Sequence, residues 1–314
     1  MRVLVAGATG VVGRRLVPQL IKAGHDVVGT TRTAAKRSDL WNVGAEPMVV
    51  DGLDAAAVGE AVAKASPDVV VHQMTALSGI SDLRHFDRTF AGTNALRSAG
   101  TDNLLAAARA SGVRRFIAAS YTGWPYAPVG GPIKSEDDPL DPSPPAQQRA
   151  SLAAIKHLEG AVLHAPLAGV VLRYGMFYGP GASEEMVAVI RKRMLPIIGD
   201  GAGVWSMTHV DDAAGAVVAA LDAGQGVFNI VDDEPTPTRE LFPELATIVG
   251  ATPPRHLPVW LGRMLAGEVI VSMLTRARGA SNEKAKRELN WTPMWPSWRE
   301  GFRNGLSDST APRG

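Results

Sequence analysis

Cysteine is absent from the sequence of 314 residues. This excludes disulfide bonds, metal sites built on thiolates and cysteine nucleophiles. An excess of one charge is also missing, since 32 Lys and Arg residues stand against 31 Asp and Glu residues. Such a balance gives no electrostatic case for a nucleic-acid partner. Histidine and acidic residues show no metal-ligand spacing, so no metal site is predicted.

Long apolar runs are missing as well. The run from Arg2 to Ala6 breaks at once into glycines and lacks the continuous apolar centre of a signal peptide, so we interpret it as a buried strand. The stretch from Pro258 to Thr275 carries Arg263 and Glu268 and falls short of the roughly 18 uninterrupted apolar residues that a membrane span needs. We expect a packed helix there, and a cytoplasmic protein without a membrane partner.

The first half of the chain alternates short β-rich runs with longer amphipathic segments. This alternation is typical of parallel βαβ units with helices on both faces of a sheet. The predicted strands are Arg2 to Ala6, Asp26 to Thr30, Pro47 to Val50, Val69 to His72, Arg115 to Ala119, Gly169 to Leu172 and Gly226 to Val231. The predicted helices are Val11 to Ala23, Asp54 to Ala65, Leu96 to Ser111 and Gln147 to Leu163. The fold class predicted is α/β, a Rossmann-type doubly wound parallel sheet with a smaller, mostly helical C-terminal lobe for substrate.

The length favours two lobes, at about 150 residues per domain. We expect residues 1–170 to form the dinucleotide-binding domain, with 208–232 returning to it. Residues 171–207 and 233–314 then form the substrate-binding lobe. Loops as long as 123–145 are usually functional in compact domains.

Three glycines follow the first predicted strand and open the first predicted helix. Gly7 permits a tight turn, Gly10 lets backbone amides approach a pyrophosphate, and Gly13 allows close packing of helix on strand. The helix N-terminus adds free N–H donors and the positive end of a dipole. The pattern predicts a dinucleotide site; the alternative is a glycine-rich turn without ligand.

The end of the second strand lacks the acid that would bind the ribose 2′-hydroxyl of NAD. Arg32 stands there instead and favours the 2′-phosphate of NADP, to which Arg14 adds a second positive charge. NADP is therefore the preferred cofactor and NAD the alternative, unless Arg32 is an ordinary surface charge. Asp51 ends the third strand as an acceptor for the adenine amine, or as a simple turn residue before Gly52.

Further motifs follow these in order along the chain. They are Val71-His72-Gln73, Gly100-Thr101, Leu172-Arg173-Tyr174, Tyr178 to Gly181, His209 to Asp212 and Ser281 to Lys286. In this order and spacing, the chain resembles the extended short-chain dehydrogenase/reductase family, which includes nucleotide-sugar epimerases and dehydratases. The resemblance covers nearly the whole chain. The residues expected to contact the cofactor are Gly7, Ala8, Thr9, Gly10, Val11, Val12, Gly13, Arg32, Asp51, Gly52, His72, Gln73, Lys156 and Tyr174.

The resemblance implies a Tyr and a Lys one helical turn apart. The lysine would hold the nicotinamide ribose and lower the pKa of the tyrosine, which exchanges a proton as hydride moves. Lys156 and Glu159 match this pattern, but the position four residues before Lys156 is Leu152, which cannot carry a proton. Arg97 stands where the family commonly has Asn. The cofactor set is largely kept, and the proton-transfer set is altered.

Another hydroxyl has to replace the missing one if a carbonyl is reduced. Counting along the fifth strand places Tyr121, not Ser120, at the family's hydroxyl position, although a slip of one residue would restore Ser120. Lys156, expected to point inward with Leu152, would lower the pKa of Tyr121. The candidate tyrosines are, in order, Tyr121, Tyr126 and Tyr178. For each of them the alternative is a packed aromatic ring, and for His72 it is a structural histidine.

The leading hypothesis is an NADP-preferring oxidoreductase that transfers hydride to or from a carbonyl, hydroxyl or conjugated double bond of a small molecule. The first alternative is a nucleotide-sugar epimerase or dehydratase, for which a retained base is central. The second is a non-catalytic NADP(H)-binding regulator or redox sensor. The sequence leaves the oligomeric state open, with a homodimer as one option.

Overall fold

A parallel sheet of seven strands forms the centre of the protein, whose computed structural model describes residues 1–77 and 83–307. The strands are β1 (Arg2–Ala6), β2 (Asp26–Thr31), β3 (Glu46–Val49), β4 (Val69–His72), β5 (Arg115–Tyr121), β6 (Ala168–Tyr174) and β7 (Gly226–Ile230). Their order across the sheet is β7-β6-β5-β4-β1-β2-β3, and every neighbouring pair is parallel. The predicted fold class is confirmed, and the seven predicted strands are the strands of this sheet.

Helices cover both faces of the sheet and also occur throughout the later part of the chain. They are α1 (Gly13–Lys22), α2 (Arg37–Asn42), α3 (Ala55–Ala65), α4 (Phe86–Thr89), α5 (Ala91–Ala95), α6 (Thr101–Ala110), α7 (Arg149–Leu163), α8 (Glu184–Arg191), α9 (Val210–Ala219), α10 (Thr238–Ile248), α11 (Val259–Thr275), α12 (Glu283–Leu289) and α13 (Trp298–Asn304). Short 3-10 turns lie at Ala34–Lys36 and Ala146–Gln148, and a π-helical turn at Leu96–Gly100 joins α5 to α6.

Four pairs of short strands lie outside the central sheet. They join Ile133–Lys134 to Gly279–Ala280, Met176–Tyr178 to Met207–His209, Ile197–Ile198 to His256–Leu257, and Val204–Trp205 to Thr236–Pro237. These pairs tie the later part of the chain to loops that follow the sheet strands.

The sheet strands are apolar along their whole length because both of their faces are buried. In β1, Val3 and Val5 pack on one side, in the cluster that includes residues of α1 and α9. Leu4 and Ala6 point to the other side, where α3 and α6 contribute to the second cluster. This alternation is what places helices on both faces.

The C-terminal helices have a core of their own. Helix α10 packs against α8 and α13, and Phe242 and Trp298 are buried between them. Helix α11 corresponds to the predicted helix from Pro258, and it bends at Gly267, whose φ is +86°. Within residues 1–77 and 83–307, no helix combines the length and apolarity that crossing a bilayer requires. The boundaries between the two lobes stay a prediction.

Strand β5 runs two residues further than predicted. Ser120 and Tyr121 pair in unbroken register with Arg173 and Tyr174 of β6. Because successive side chains of a strand point to opposite faces, Ser120 and Tyr121 diverge. The predicted helix from Leu96 also differs, since its first turn is π-helical, a feature that is frequent at functional sites.

Candidate active site

The turn between β1 and α1 is so tight that a Cβ atom at Gly7 or Gly13 would collide with backbone atoms. Gly7 has a φ of +88°, and a Cβ on it would lie 2.9 Å from the carbonyl carbon of Gln73. A Cβ on Gly13 would lie 2.4 Å from the carbonyl oxygen of Gly7. Gly10 donates its N–H to the same oxygen at 3.0 Å. Glycine is therefore required at Gly7 and Gly13 by conformation and by close approach.

The N-terminus of α1 fits the diphosphate of a dinucleotide. The helix has no side-chain cap, and its dipole places a positive end at this turn, although the amides of Arg14 and Arg15 are already bonded to Gly10 O and Val12 O at 3.0 Å. Two hydrogen bonds fix the turn to the end of β2: Gly7 N–H donates to Thr30 Oγ1 at 3.3 Å, and Thr9 Oγ1 lies 3.2 Å from Thr31 Oγ1. The cradle is thus held firmly against the sheet.

Two exposed arginines flank this cradle. Arg32 follows β2 directly. Arg14 extends from α1 and packs against Gly181: a Cβ built on Gly181 would lie only 2.7 Å from Nη2 of Arg14. In the described part of the chain neither guanidinium has an acidic partner. Both are available to a phosphate group.

The turn after β3 contains the predicted adenine contact. Asp51 is exposed, and one of its carboxylate oxygens accepts the N–H of Leu53 at 3.0 Å. Gly52 is buried, and a Cβ there would lie 2.5 Å from the sulfur of Met74. The adenine contact of Asp51 stays a prediction.

The residues at the end of β4 are bound to backbone and to each other. His72 is buried; its Nδ1 accepts the N–H of Met74 at 3.2 Å, which leaves Nε2 to donate to Leu96 O at 3.3 Å. Burial lowers the pKa of His72 to about 4, so the ring is neutral. Gln73 donates to the hydroxyl of Tyr174 at 3.2 Å. His72 is thus held by two hydrogen bonds to backbone, and its contact with the cofactor stays a prediction.

Ser120 and Tyr126, both predicted as catalytic, lie in a buried network around an ion pair. Arg173 binds Glu159 through two hydrogen bonds of 2.8 and 2.7 Å. Ser120 Oγ donates to Glu159 Oε1 at 2.7 Å, and Arg173 donates to the hydroxyl of Tyr126 at 2.9 Å. That hydroxyl in turn donates to Asn229 at 2.9 Å. We correct the view of these hydroxyls as free donors, because both are bonded within this network, and a catalytic role for either stays a prediction.

Lys156 does not point inward as expected. Its side chain is exposed, and its Nζ lies 3.5 Å from the carbonyl oxygen of Asp141. The inward face of α7 centres on Ile155, and one residue further is a rotation of about 100°. Ser151, Leu152 and Ile155 are all buried, so the inward face carries no titratable side chain at these positions. Leu152 and Lys156 stand one turn apart, about 40° around the helix, so Lys156 lies at the exposed edge of this face, and its contact with the cofactor stays a prediction.

Tyr121 lies at a small cleft, with a cavity volume of about 10 Å³, between the end of β5 and α11. Residues that line it are Tyr121, Thr122, Trp124, Met176, Trp205 and Met273. Among the described residues nothing accepts or donates a hydrogen bond at the Tyr121 hydroxyl, and the buried Oγ1 of Thr122 has no partner either. Of the two neighbours on β5, Tyr121 is therefore the one whose hydroxyl is available to a ligand. Tyr178, the third candidate, is fully buried and stacks on Phe302.

Arg97 is the functional candidate that the sequence interpretation missed. It is half-buried in the π-helical turn, and within residues 1–77 and 83–307 its guanidinium has no hydrogen bond or ion pair. Burial lowers the pKa of Arg97 to about 10. Burial also raises the pKa of Tyr121 to about 12, an effect that the charge of Arg97 opposes. The signal in the sequence is its departure from the family's usual Asn, to which no role was attached.

Comparisons with known proteins agree with the fold described above. The sequence pattern of the NAD dependent epimerase/dehydratase family matches residues 3–230. A 3-diazoavenalumate denitrifying reductase from a Streptomyces species is 44% identical over 308 residues, which cover 96% of this chain and 99% of that protein. UDP-glucose 4-epimerase of Thermotoga maritima, solved with UDP-glucose, has a TM-score of 0.75 at 26% identity and covers 96% of both chains. UDP-glucose 4-epimerase of Thermus thermophilus, solved with NAD, has a TM-score of 0.72 at 26% identity, covering 96% of this chain and 97% of that chain.

The family assignment explains why the glycine cradle is paired with an altered catalytic helix. We expect the cradle to bind the nicotinamide cofactor, whereas the catalytic helix departs from the family pattern at Leu152. The chain belongs to the NAD-dependent epimerase/dehydratase family, in the extended short-chain dehydrogenase/reductase group, and is an NAD(P)-dependent oxidoreductase.

Proposed function

We propose that the protein is an NADP(H)-dependent reductase whose substrate is a small molecule bearing a diazonium group. The observation that carries this proposal is the inward face of α7. Leu152 is buried there at the position of the family's tyrosine, and Lys156, at the position of its lysine, is exposed, so the proton-transferring pair is not formed. A reaction that needs no proton from that pair suits this face best.

A diazonium group meets this condition because it is already a cation. When bound, the reduced nicotinamide supplies a hydride. The substrate gains a C–H bond, its C–N bond breaks, and N₂ leaves with the electron pair of that bond. One positive charge is neutralised by one hydride, the cofactor is left oxidised, and no proton is consumed. The name of the 44% identical relative, a denitrifying reductase of a diazo compound, supports this choice.

The preference for NADP rests on the cations around the cradle. Arg32 is exposed, lies directly after β2 and has no acidic partner in the described chain. A guanidinium binds a phosphate through charge-assisted hydrogen bonds, and the 2′-phosphate distinguishes NADP from NAD.

Titration of nicotinamide fluorescence tests this preference. In Arg32→Gln we expect the Kd for NADPH to rise about tenfold or more and the Kd for NADH to change less than about threefold. Arg37→Gln, an exposed arginine at the start of α2, is the matched control and should leave both values unchanged. Equal losses for both cofactors in Arg32→Gln would remove the argument for NADP.

A carbonyl reductase is the second candidate function, because Tyr121 supplies a proton donor at the cleft. Burial raises the pKa of Tyr121 to about 12, so its phenol is protonated at neutral pH and able to donate to a developing alkoxide. The two functions differ in whether this proton is needed. Diazonium reduction does not need it, and carbonyl reduction does.

Benzenediazonium with NADPH deuterated at the transferred position separates these functions. We expect one N₂ released per NADPH oxidised and deuterium in the benzene product, at a rate above that of the protein-free mixture. Tyr121→Phe should keep this rate within about threefold, whereas reduction of a carbonyl substrate would fall by about 10²-fold. Absence of deuterium in the product, or a 10²-fold loss in Tyr121→Phe with the diazonium, would refute the proposal.

A cytoplasmic location and a homodimer remain predictions from the sequence. The oligomeric state follows from light scattering of the purified protein with and without NADPH. A monomer at all concentrations would contradict the homodimer.

A further inference from the structure

Met74 lies at a place where three turns of the chain meet. A Cβ built on Gly52, in the turn after β3, would lie 2.5 Å from the sulfur of Met74 and 2.6 Å from its Cε. A Cβ on Gly100, at the end of the π-helical turn, would lie 3.6 Å from the same Cε. A Cβ on Gly7 would lie 3.0 Å from the backbone nitrogen of Met74. Met74 therefore joins the glycine cradle to the turn that contains Asp51.

The glycine at position 52 makes room for this thioether. Gly52 does not have the positive φ that favours glycine, so its backbone conformation does not require one. The atoms nearest to an added Cβ are the sulfur and Cε of Met74, followed by Leu96 Cδ2 at 3.3 Å. Gly52 and Met74 are thus complementary, because the small residue leaves the space that the long side chain fills.

Hydrogen bonds hold the backbone of both residues in place. Nδ2 of Asn103 donates to the carbonyl oxygen of Gly52 at 3.1 Å. The N–H of Met74 donates to Nδ1 of His72 at 3.2 Å. The Met74 side chain itself is only half-buried, so part of it stays at the surface. The thioether is therefore presented to solvent from a fixed backbone.

The sheet places Met74 beside the point at which the strand order reverses. Strands β1 and β4 are neighbours, with β2 and β3 on one side of them and β5, β6 and β7 on the other. In open α/β sheets, dinucleotides bind in the crevice at this reversal, outside the carboxyl ends of the strands. Gly7 follows β1 and Met74 follows β4, so both border the crevice. Arg32 and Asp51, the residues expected at the adenosine half, follow β2 and β3, and the Met74 side chain reaches toward that side.

The chemistry of the thioether selects among the parts of a dinucleotide. It has no hydrogen-bond donor and carries no charge, so it offers nothing to a phosphate. Its sulfur is polarisable and makes favourable contacts with aromatic rings. Adenine is the aromatic part of the adenosine half.

We propose that the thioether of Met74 packs against the adenine ring of the bound cofactor, and that residue 52 is glycine so that Met74 can reach this place. This deepens the proposed function and rests on its cofactor, not on its diazonium substrate. In this assignment Met74 is a specificity-determining residue for the adenosine half, and it takes no part in hydride transfer.

Calorimetric titration with 2′,5′-ADP, which is the adenosine half of NADP, tests the contact without nicotinamide and without turnover. In Met74→Ala we expect the Kd for 2′,5′-ADP to rise about three- to tenfold, and the Kd for NADPH by the same factor, because the contact between sulfur and ring is lost. In Gly52→Ala the new methyl group meets the flexible end of Met74 and displaces it, so the loss should be of similar size. The double variant should lose no more than either single variant, because both changes remove the same contact.

Met186→Ala is the matched control, a half-buried methionine of α8 that packs against the C-terminal core. It should leave both Kd values unchanged, and thermal unfolding is measured for every variant. Unchanged binding of 2′,5′-ADP in Met74→Ala overturns the proposal, and so does a loss for NADPH that 2′,5′-ADP does not share, which would move the contact to the nicotinamide half. Additive losses in the double variant also overturn it, while the reductase proposal stands or falls separately on deuterium transfer.

Discussion

The glycine cradle after β1 and the catalytic region between β5 and α7 lie on the same edge of one sheet, yet they follow different rules. At the cradle the backbone forms the site, and Gly7 and Gly13 are required because any Cβ would collide with backbone atoms. At α7 the site depends on which side chains point inward, and these are Ser151 and Ile155 rather than a tyrosine and a lysine. We expect the first region to bind the nicotinamide cofactor, and the second departs from the family pattern at Leu152.

The largest effect expected is on the cradle itself. In Gly13→Ala the new methyl group would lie 2.4 Å from the oxygen of Gly7 and 2.5 Å from that of Ala8. Helix α1 has to move away from β1, so we expect the affinity for NADPH to fall by at least about 10²-fold. Nicotinamide fluorescence measures this loss.

Two further glycine variants make this test specific. Gly59→Ala, in α3, meets no atom within 4 Å and should bind NADPH normally with a slight gain in stability. Gly10→Ala meets only the oxygen of Gly7 at 3.2 Å, so it should keep the fold and lose less affinity than Gly13→Ala. Normal NADPH binding by Gly13→Ala would contradict the cradle and with it the contrast between the two regions.

The sheet was predictable because each of its strands is a short, nearly continuous apolar run between turn signals. Strand ends were less predictable: β5 continues through Ser120 and Tyr121 only because Arg173 and Tyr174 of β6 extend to pair with them. Pairing of this kind is a tertiary property that local pattern does not contain.

The candidate site also contains residues that the sequence predicts well and residues that it does not. The positions of Gly7 to Gly13 follow from backbone requirements that any sequence must obey. The roles of Ser120 and Tyr126 depend on Glu159 and Arg173, which come together from α7 and β6. Leu152 and Lys156 stand one turn apart on α7, yet only Leu152 is buried. How far the edge of a helix face is covered follows from packing on neighbours, which the family motif does not contain.

The second effect in size concerns the ion pair that holds Ser120 and Tyr126. Glu159→Gln leaves the Arg173 guanidinium buried without a negative partner. We expect the free energy of unfolding to fall by about 3–5 kcal/mol, measured by urea denaturation.

Glu288→Gln is the control for this variant, since Glu288 pairs with Arg287 at the surface and its loss should cost at most about 1 kcal/mol. If Glu159→Gln kept its stability but lost turnover, the network would belong to the catalytic machinery and the correction made for Ser120 and Tyr126 would be reversed.

The third effect is a pH dependence that comes from the buried ring of His72. Its pKa in the folded protein is about 4, below the ordinary 6.5, so between these values the unfolded chain binds the additional proton. Stability therefore decreases as the pH falls from 6.5 toward 4, by up to about 1.4 kcal/mol per pH unit. His72→Asn lacks this contribution. As the pH falls, the wild type should therefore lose more unfolding free energy than the variant does.

Urea denaturation at several pH values measures that shift, with His164→Asn, an exposed histidine at the end of α7, as the control. A difference between His72→Asn and the wild type that stays constant from pH 7 to about 4.5 would show that His72 accepts its proton in the folded state. In that case the His72 ring would not be held by the two hydrogen bonds to backbone that the structure shows.

The smallest effect expected is at Lys156, and it tests the contrast between the two regions most directly. Because Nζ is exposed and contacts only the carbonyl of Asp141, Lys156→Met should change the Kd for NADPH and kcat/KM by less than about threefold. A loss of about 10²-fold, restored in part by Lys156→Arg, would mean that cofactor binding turns this lysine inward and that the family's lysine is in use after all. The altered region would then still differ from the family at Leu152 and at Arg97, but it would keep the family's lysine.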